Sequence, residues 1–370
     1  MPPRLIFDGD YPMAIGALDM DRDLTRPIEE VRAAEPRSRG YRRWPDSETM
    51  ASLPEMRRGR IAAALVKAVG RVQRSEIIWG YRSSENACAA ALGQMAYYRI
   101  LEQRGEVRIL RTAADLRDHT AAWQADAAGD RPVGLVLGLE GADPVLWPGH
   151  LRDWWDQGLR VISLSHYGPS AYCHGTGTGT EKGLLPPARE LLEEMDRLGF
   201  VLDLTHASDA SVRQALELFS GPIVATHQNC RALVPGERQF PDSQLRAIIG
   251  RGGVIGVSMD TWMLYRPGVD WADIPPRREV FERREVTLQD LADHIDHICQ
   301  LAGDARHAGI GGDTDGQGGR EGAPWEIDTV ADYQKVGDVL EGRGYGEEEI
   351  TGILYGNWQR FFEAHLPGSC

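Results

Sequence analysis

The feature that most constrains this 370-residue chain is a series of short Val-, Ile- and Leu-rich runs, each followed by enough residues for a helix. Seven runs are clear: Leu5 to Asp10, Val133 to Glu140, Arg160 to His166, Phe200 to His206, Pro222 to His227, Gly253 to Met259 and His307 to Asp313. Continuous apolar runs of this length suit parallel strands covered on both faces. An eighth, Arg60 to Val72, is ambiguous because its alanines also suit a helix. Between the runs, Asn86 to Gln103, Ala113 to Ala125, Pro187 to Leu198 and Ser208 to Phe219 read as helices. Pro187 suits a helix entrance and Gly199 a helix stop. No shift in composition marks a linker, so the expected architecture is α/β: one (β/α)8 TIM-like barrel over residues 1–370. An open doubly wound sheet is the second choice. Residues 11–59 exceed a normal connection and read as an insertion loop with some helix at the barrel mouth. Residues 329–366 should supply two closing helices.

Charge and cysteine content exclude several functions. With 41 Lys and Arg against 55 Asp and Glu, the net charge of −14 argues against nucleic-acid binding through a general basic field. No run approaches the roughly 20 apolar residues of a membrane span. The segment Met1 to Asp8 reaches an acidic residue before any long apolar stretch, which predicts no secretory signal and a cytoplasmic location. Cys88, Cys173, Cys230, Cys299 and Cys370 are odd in number and never form C-x-x-C, so they read as reduced packing residues.

The chemistry concentrates where the expected strands end: Asp10, Glu140, His166, His206, His227 and Asp313. In a parallel barrel those ends share the face that carries function. Taken singly, each has a structural explanation, as a packed histidine or a carboxylate capping the next helix. Their convergence is the signal. His206 and His227 are separated by one βα unit, and with Glu140 they make two imidazoles and a carboxylate, a catalytic zinc set. Asp313, within Gly311-Gly312-Asp313-Thr314-Asp315-Gly316, could take a proton from activated water and pass it to a leaving amine. Asp315 reads as a turn residue. As a calcium loop the segment fails, because position twelve is Pro324. Gly175-Thr176-Gly177-Thr178-Gly179-Thr180 fits no nucleotide fingerprint and reads as a mobile lid, and no Gly-x-Ser-x-Gly elbow is present.

Several segments resemble, in order, the membrane (renal) dipeptidase family of metallopeptidases, family M19. They are Leu139-Glu140-Gly141-Ala142-Asp143-Pro144, Leu164-Ser165-His166, Gly199 to His206, Thr226-His227-Gln228-Asn229-Cys230-Arg231-Ala232-Leu233, Gly252 to Val257, His294 to Ile298 and Gly309 to Gly316. The resemblance implies a barrel of the metallo-dependent hydrolase type that cleaves dipeptides or similar small amides through a zinc-activated water. It implies that Glu140 bridges two zinc ions, that His206 and His227 hold one of them, and that His166 contacts substrate and its tetrahedral intermediate. Asp313 would be the acid/base, and Arg238 would pair with the dipeptide's terminal carboxylate. Without the resemblance, Arg238 would read as a surface charge.

The chain departs from the family on the first strand. Members carry Asp-x-His-x-Asp there, whereas this chain reads Asp8-Gly9-Asp10-Tyr11-Pro12. Proline cannot ligate, and Asp10 offers at most one oxygen ligand. The expectation is therefore one firm Zn2+ site, with the second weak or empty. Two other readings stand beside the dipeptidase: an inactive or binding-only paralogue on the same scaffold, and a single-metal hydrolase of another small amide. The expected partner is a small dipeptide-like substrate. A homodimer is possible in this family, and the Trp154-Trp155 pair could serve an interface or the core.

Overall fold

The computed structural model describes residues 3–35, 48–74, 80–126, 130–315 and 319–368. Among these, nine strands form one parallel sheet: β1 (Ile6–Tyr11), β2 (Ile61–Val69), β3 (Val107–Ile109), β4 (Val133–Glu140), β5 (Leu159–Ser163), β6 (Val201–Asp203), β7 (Ile223–Val224), β8 (Ile255–Val257) and β9 (Ala308–Ile310). Eight run side by side in the order β7-β6-β5-β4-β2-β1-β9-β8, and β3 pairs with β4 off this path. A parallel bridge from Ala225 to Ile255 joins the two ends, which makes a nearly closed eight-strand barrel rather than an open sheet.

The ambiguous alanine-rich run is a strand, β2. It lies between β1 and β4, every residue is buried, and its register with β4 runs without a break from Ala63–Gly134 to Val69–Glu140. Small side chains suit a strand crowded on both faces. Strand β3 was absent from the sequence reading, because Val107-Arg108-Ile109 is too short to show a pattern.

Local signals set the helices. Ser83 caps Ser84–Gln103 by accepting from Asn86 N–H, Thr112 and Asp115 form a capping box on Ala113–Ala125, and Gly199 ends Ala188–Leu198 at φ 87°. The expected insertion contains Ile28–Ala34 and Leu53–Arg58 as helix, while residues 36–47 lie outside the described residues, as do Gly316 and Cys370. Asp315 is a structural residue: its carboxylate accepts from Thr49 Oγ1 and from the backbone N–H groups of Met50 and Ala51, fastening the insertion to the barrel.

The C-terminal segment contains Gln334–Gly342, Glu347–Thr351 and Asn357–His365 as helix. Trp358 donates its indole N–H to Ile310 O at 2.9 Å and packs against Phe7 and Phe362. Gly9 makes room for it, since a Cβ there would fall 2.5 Å from the Trp358 ring. Trp154 is fully buried, and Trp155 meets Phe200 edge-on beneath Arg160. Trp154 thus serves the interior of this chain, while Trp155 is half-buried. No described helix is long and apolar enough to cross a membrane.

Candidate metal centre

Asp10 and Glu140 are the last or next-to-last residues of β1 and β4. The other four candidates lie past the ladders: His166, His206, His227 and Asp313 each stand three residues beyond the ends of β5, β6, β7 and β9. The sequence runs were therefore longer than the strands, and their final residues are short loops at the functional rim. His206 and Asp313 adopt left-handed backbone, φ 69° and 55°. That conformation is uncommon for residues with a Cβ and recurs at functional sites.

Three side chains converge tightly. His227 Nε2 is 3.1 Å from His206 Nε2 and 3.3 Å from Glu140 Oε1, and His206 Nε2 is 3.6 Å from the same oxygen. A tetrahedral zinc with bonds of about 2.0–2.1 Å has ligand-to-ligand edges of about 3.3 Å. The residues present therefore fit such an ion. Two overlapping groups of candidate ligands also form here, Glu140 with His166 and His206, and Asp10 with Glu140 and His227.

Neighbouring groups orient each ring. His206 Nδ1 meets Thr176 Oγ1 at 2.9 Å, and Thr176 N–H donates to His206 O. This leaves Nε2 for the centre, the arrangement in which an outer partner fixes a ligating imidazole. Thr176 comes from the glycine-threonine segment expected to be a lid. Instead, its bonds to His206 make it part of the wall. His227 Nδ1 lies 3.0 Å from Thr226 Oγ1 and 3.3 Å from Asp10 Oδ1. His166 differs from both. Arg71 Nη1 sits 3.2 Å from its Nδ1, and a guanidinium can only donate, so Nδ1 accepts and the proton resides on Nε2. That N–H faces Glu140 Oε2 at 3.9 Å. His166 is thereby prepared to donate a hydrogen bond rather than to ligate.

Electrostatics follow from burial. Burial drives His166 and His206 well below the ordinary imidazole value, assisted by Arg71 at His166 and by Arg238 at both, so both rings are neutral. Burial opposes charge on His227 most strongly, but Asp10, through its charge and close contact, and the charge of Asp313 together outweigh it and raise that ring. Asp313 is pushed up to about 7, first by burial and then by the negative charges of Asp10, Asp260 and Glu140. Burial also pushes Asp8 up to about 7, although its Oδ1 accepts from the N–H groups of Asp10 and Gly312.

Arg238 is 2% exposed, which corrects the surface reading its sequence context alone suggests. Its guanidinium donates to Gln228 Oε1 and to His227 O, both at 2.9 Å, while Nε is buried with no hydrogen-bond partner among the described residues. A buried unpaired donor costs about 1–3 kcal/mol, so this edge is suited to an anionic ligand group.

Lys67 was not among the sequence candidates. It projects from the middle of β2 and is completely buried, with Nζ 2.7 Å from Asp10 Oδ1, 2.8 Å from Asp203 Oδ2, 2.7 Å from Thr226 Oγ1 and 3.8 Å from Glu140 Oε1. The Asp10 contact is a charge pair, and neither Asp10 oxygen has a hydrogen-bond partner among the described residues. Burial disfavours the ammonium, yet Asp10, Asp203 and Glu140 outweigh it and hold Lys67 above the ordinary lysine value. The only sequence signal was the one charge inside a nine-residue buried strand.

Comparison with known proteins places this geometry. The family model for membrane dipeptidase, peptidase family M19, matches residues 17–366. An uncharacterized dipeptidase of Schizosaccharomyces pombe is 28% identical over 251 residues, covering 67% of this chain and 57% of the relative. Dipeptidase 3 of Rattus norvegicus is 29% identical over 245 residues, covering 62% and 44%. The chain thus spans about half the length of these curated relatives. A crystallised M19 dipeptidase superposes with a TM-score of 0.76 at 23% identity, covering 99% of this chain and 100% of its own. A metallopeptidase of Rhodobacter sphaeroides, liganded with a phosphinate mimic of L-Ala-D-Ala, gives 0.76 at 21% identity, covering 98% and 99%. Both structural likenesses establish the barrel fold. With nearly its whole length matched by the family model, the chain belongs to the membrane dipeptidase family, peptidase family M19.

Proposed function

We propose that this chain is a metal-dependent hydrolase of dipeptides or similar small amides, using one zinc ion held by Glu140, His206 and His227. The observation that carries this reading is the 3.1–3.6 Å triangle of Glu140 Oε1, His206 Nε2 and His227 Nε2. Held by these three residues, zinc would supply an acidified water and a polarised scissile carbonyl. Asp313 takes the proton released from the attacking water and returns it to the leaving amine, a role suited to a carboxyl pushed up to about 7 by burial. His166 offers its Nε2–H to the carbonyl oxygen as negative charge develops there. Arg238 pairs its free guanidinium edge with the terminal carboxylate of the substrate, which favours free dipeptides over amidated ones. The dipeptide mimic bound by the Rhodobacter metallopeptidase supports this substrate class, including a D-residue on the C-terminal side.

Pro12 favours a second reading, a binding-only protein on the same scaffold, because it removes a first-strand ligand position. A panel of L,L- and L,D-dipeptides, offered to protein carrying a stoichiometric amount of zinc, separates the two. Hydrolysis of free dipeptides supports the enzyme. Zinc-loaded protein that cleaves none contradicts it.

A further inference from the structure

We propose that the ammonium group of Lys67 is a built-in second cation of this centre, standing beside Asp10 and confining the chain to a single divalent metal ion. The proposal rests on the metal-hydrolase reading above and concerns this chain's own departure from its family.

The geometry is specific. Three oxygens lie within 2.8 Å of Lys67 Nζ: Thr226 Oγ1 accepts a hydrogen bond from it, and Asp10 and Asp203 face it as charge pairs. Asp203 is itself locked, with Oδ1 accepting from the N–H groups of Thr205 and Thr226 and Oδ2 from the Thr226 hydroxyl. The cation therefore sits in a built socket and does not reach the centre by chance rotation. Glu140 Oε1, the oxygen that faces His206 and His227, is also within 3.8 Å of Nζ. The same carboxylate oxygen thus neighbours both the two imidazoles and the ammonium.

Charge balance leads to the same conclusion. Three buried carboxylates cannot remain ionised together without compensation, and a buried lysine alone would shed its proton. Asp10, Asp203 and Glu140 against Lys67 leave two net negative charges, which one divalent ion neutralises. The strand itself accommodates the lysine: Gly138 stands opposite Lys67 in the β2–β4 register, and a Cβ there would come within 3.1 Å of Lys67 Cγ. On the first strand, Pro12 removes one family ligand, and Asp10 has a lysine at the corner where a second ion would need to approach.

Exhaustive dialysis against Zn2+, followed by metal analysis of protein and buffer, tests this. The wild type should hold one zinc per chain at saturation. Lys67→Ala, which vacates the corner and leaves Asp10, Asp203 and Glu140 as oxygen donors, should hold two, with a Zn2+-induced rise in melting temperature larger than that of the wild type. If Lys67→Ala does not fold, zinc-edge anomalous maps of wild-type crystals soaked in Zn2+ decide. A single peak against His206 and His227, with none beside Asp10, supports the proposal. A second peak within ligand distance of Asp10, a wild-type ratio of two, or a Lys67→Ala ratio that stays at one each overturns it while leaving the metal-hydrolase reading intact. A wild-type ratio of zero overturns both.

Discussion

Arg71 Nη1 lies 3.2 Å from His166 Nδ1, and because arginine has no acceptor this contact fixes which nitrogen of the imidazole carries the proton. A loop arginine thereby determines that His166 presents an N–H, rather than a lone pair, toward Glu140. The distinction separates a hydrogen-bond donor to substrate from a metal ligand.

Arg71→Met should release that constraint. We expect kcat on the best dipeptide to fall by about 100- to 1000-fold with zinc content unchanged, in the range for loss of one positioned proton donor. His166→Gln should cost about as much, and the double variant little more than either single one, because the two residues act as a unit. Steady-state kinetics with metal analysis checks this. Additive losses would show that Arg71 acts elsewhere.

Arg238→Lys keeps the charge but loses the planar fork. Preference for a dipeptide over its C-terminal amide should shrink by about 10- to 100-fold, equivalent to a charged hydrogen bond of roughly 1.5–3 kcal/mol. The comparison of kcat/KM for the two substrates is the readout. An unchanged ratio would remove Arg238 from carboxylate recognition.

Asp313→Asn retains shape and removes the base. Turnover should drop by about 10²–10⁴-fold while zinc content and folding are preserved. Equal turnover would mean that Asp313 does not move the proton.

Acid stability should report on His294. Burial holds its ring at about 3, and its Nδ1 accepts from Cys230 N–H at 3.0 Å, which requires the neutral form. The unfolded chain takes up that proton near pH 6.5, whereas the folded chain takes it only near 3. The stabilisation is therefore complete above pH 6.5, is lost as pH falls from 6.5 toward 3, and changes no further below that. The slope is at most roughly 1.4 kcal/mol per pH unit for one proton. Urea unfolding across this window should show a shallower pH dependence in His294→Gln than in the wild type. Equal slopes would rule out His294 as the titrating group.

The legible parts of the sequence were those where one physical signal dominated. Val133 to Glu140 is an uninterrupted apolar run and is a strand over those very residues, whereas β7 keeps only Ile223 and Val224 of its apolar run in the ladder because the chain turns into the rim at once. β2 was ambiguous because alanine serves both helix and crowded strand, and only its neighbours β1 and β4 decide it. Glu140, His206 and His227 could be picked out because each lies at or just past a strand end. The residues that tune them could not. Arg71 and Thr176 come from loops whose path is set by tertiary packing, and burial of Arg238 depends on Gln228 folding back onto it. Lys67 left a trace, a charge in a run otherwise apolar, but its meaning needed Asp203 and Asp10 brought to the same corner.

The central claim, that Glu140, His206 and His227 share one divalent ion, is tested most directly by zinc affinity measured by competition with a chromophoric chelator. The account predicts that the wild type retains zinc against the chelator and that Glu140→Gln, His206→Ala and His227→Ala each release it, while His166→Gln keeps wild-type affinity. Wild-type affinity in all three ligand variants would contradict the account.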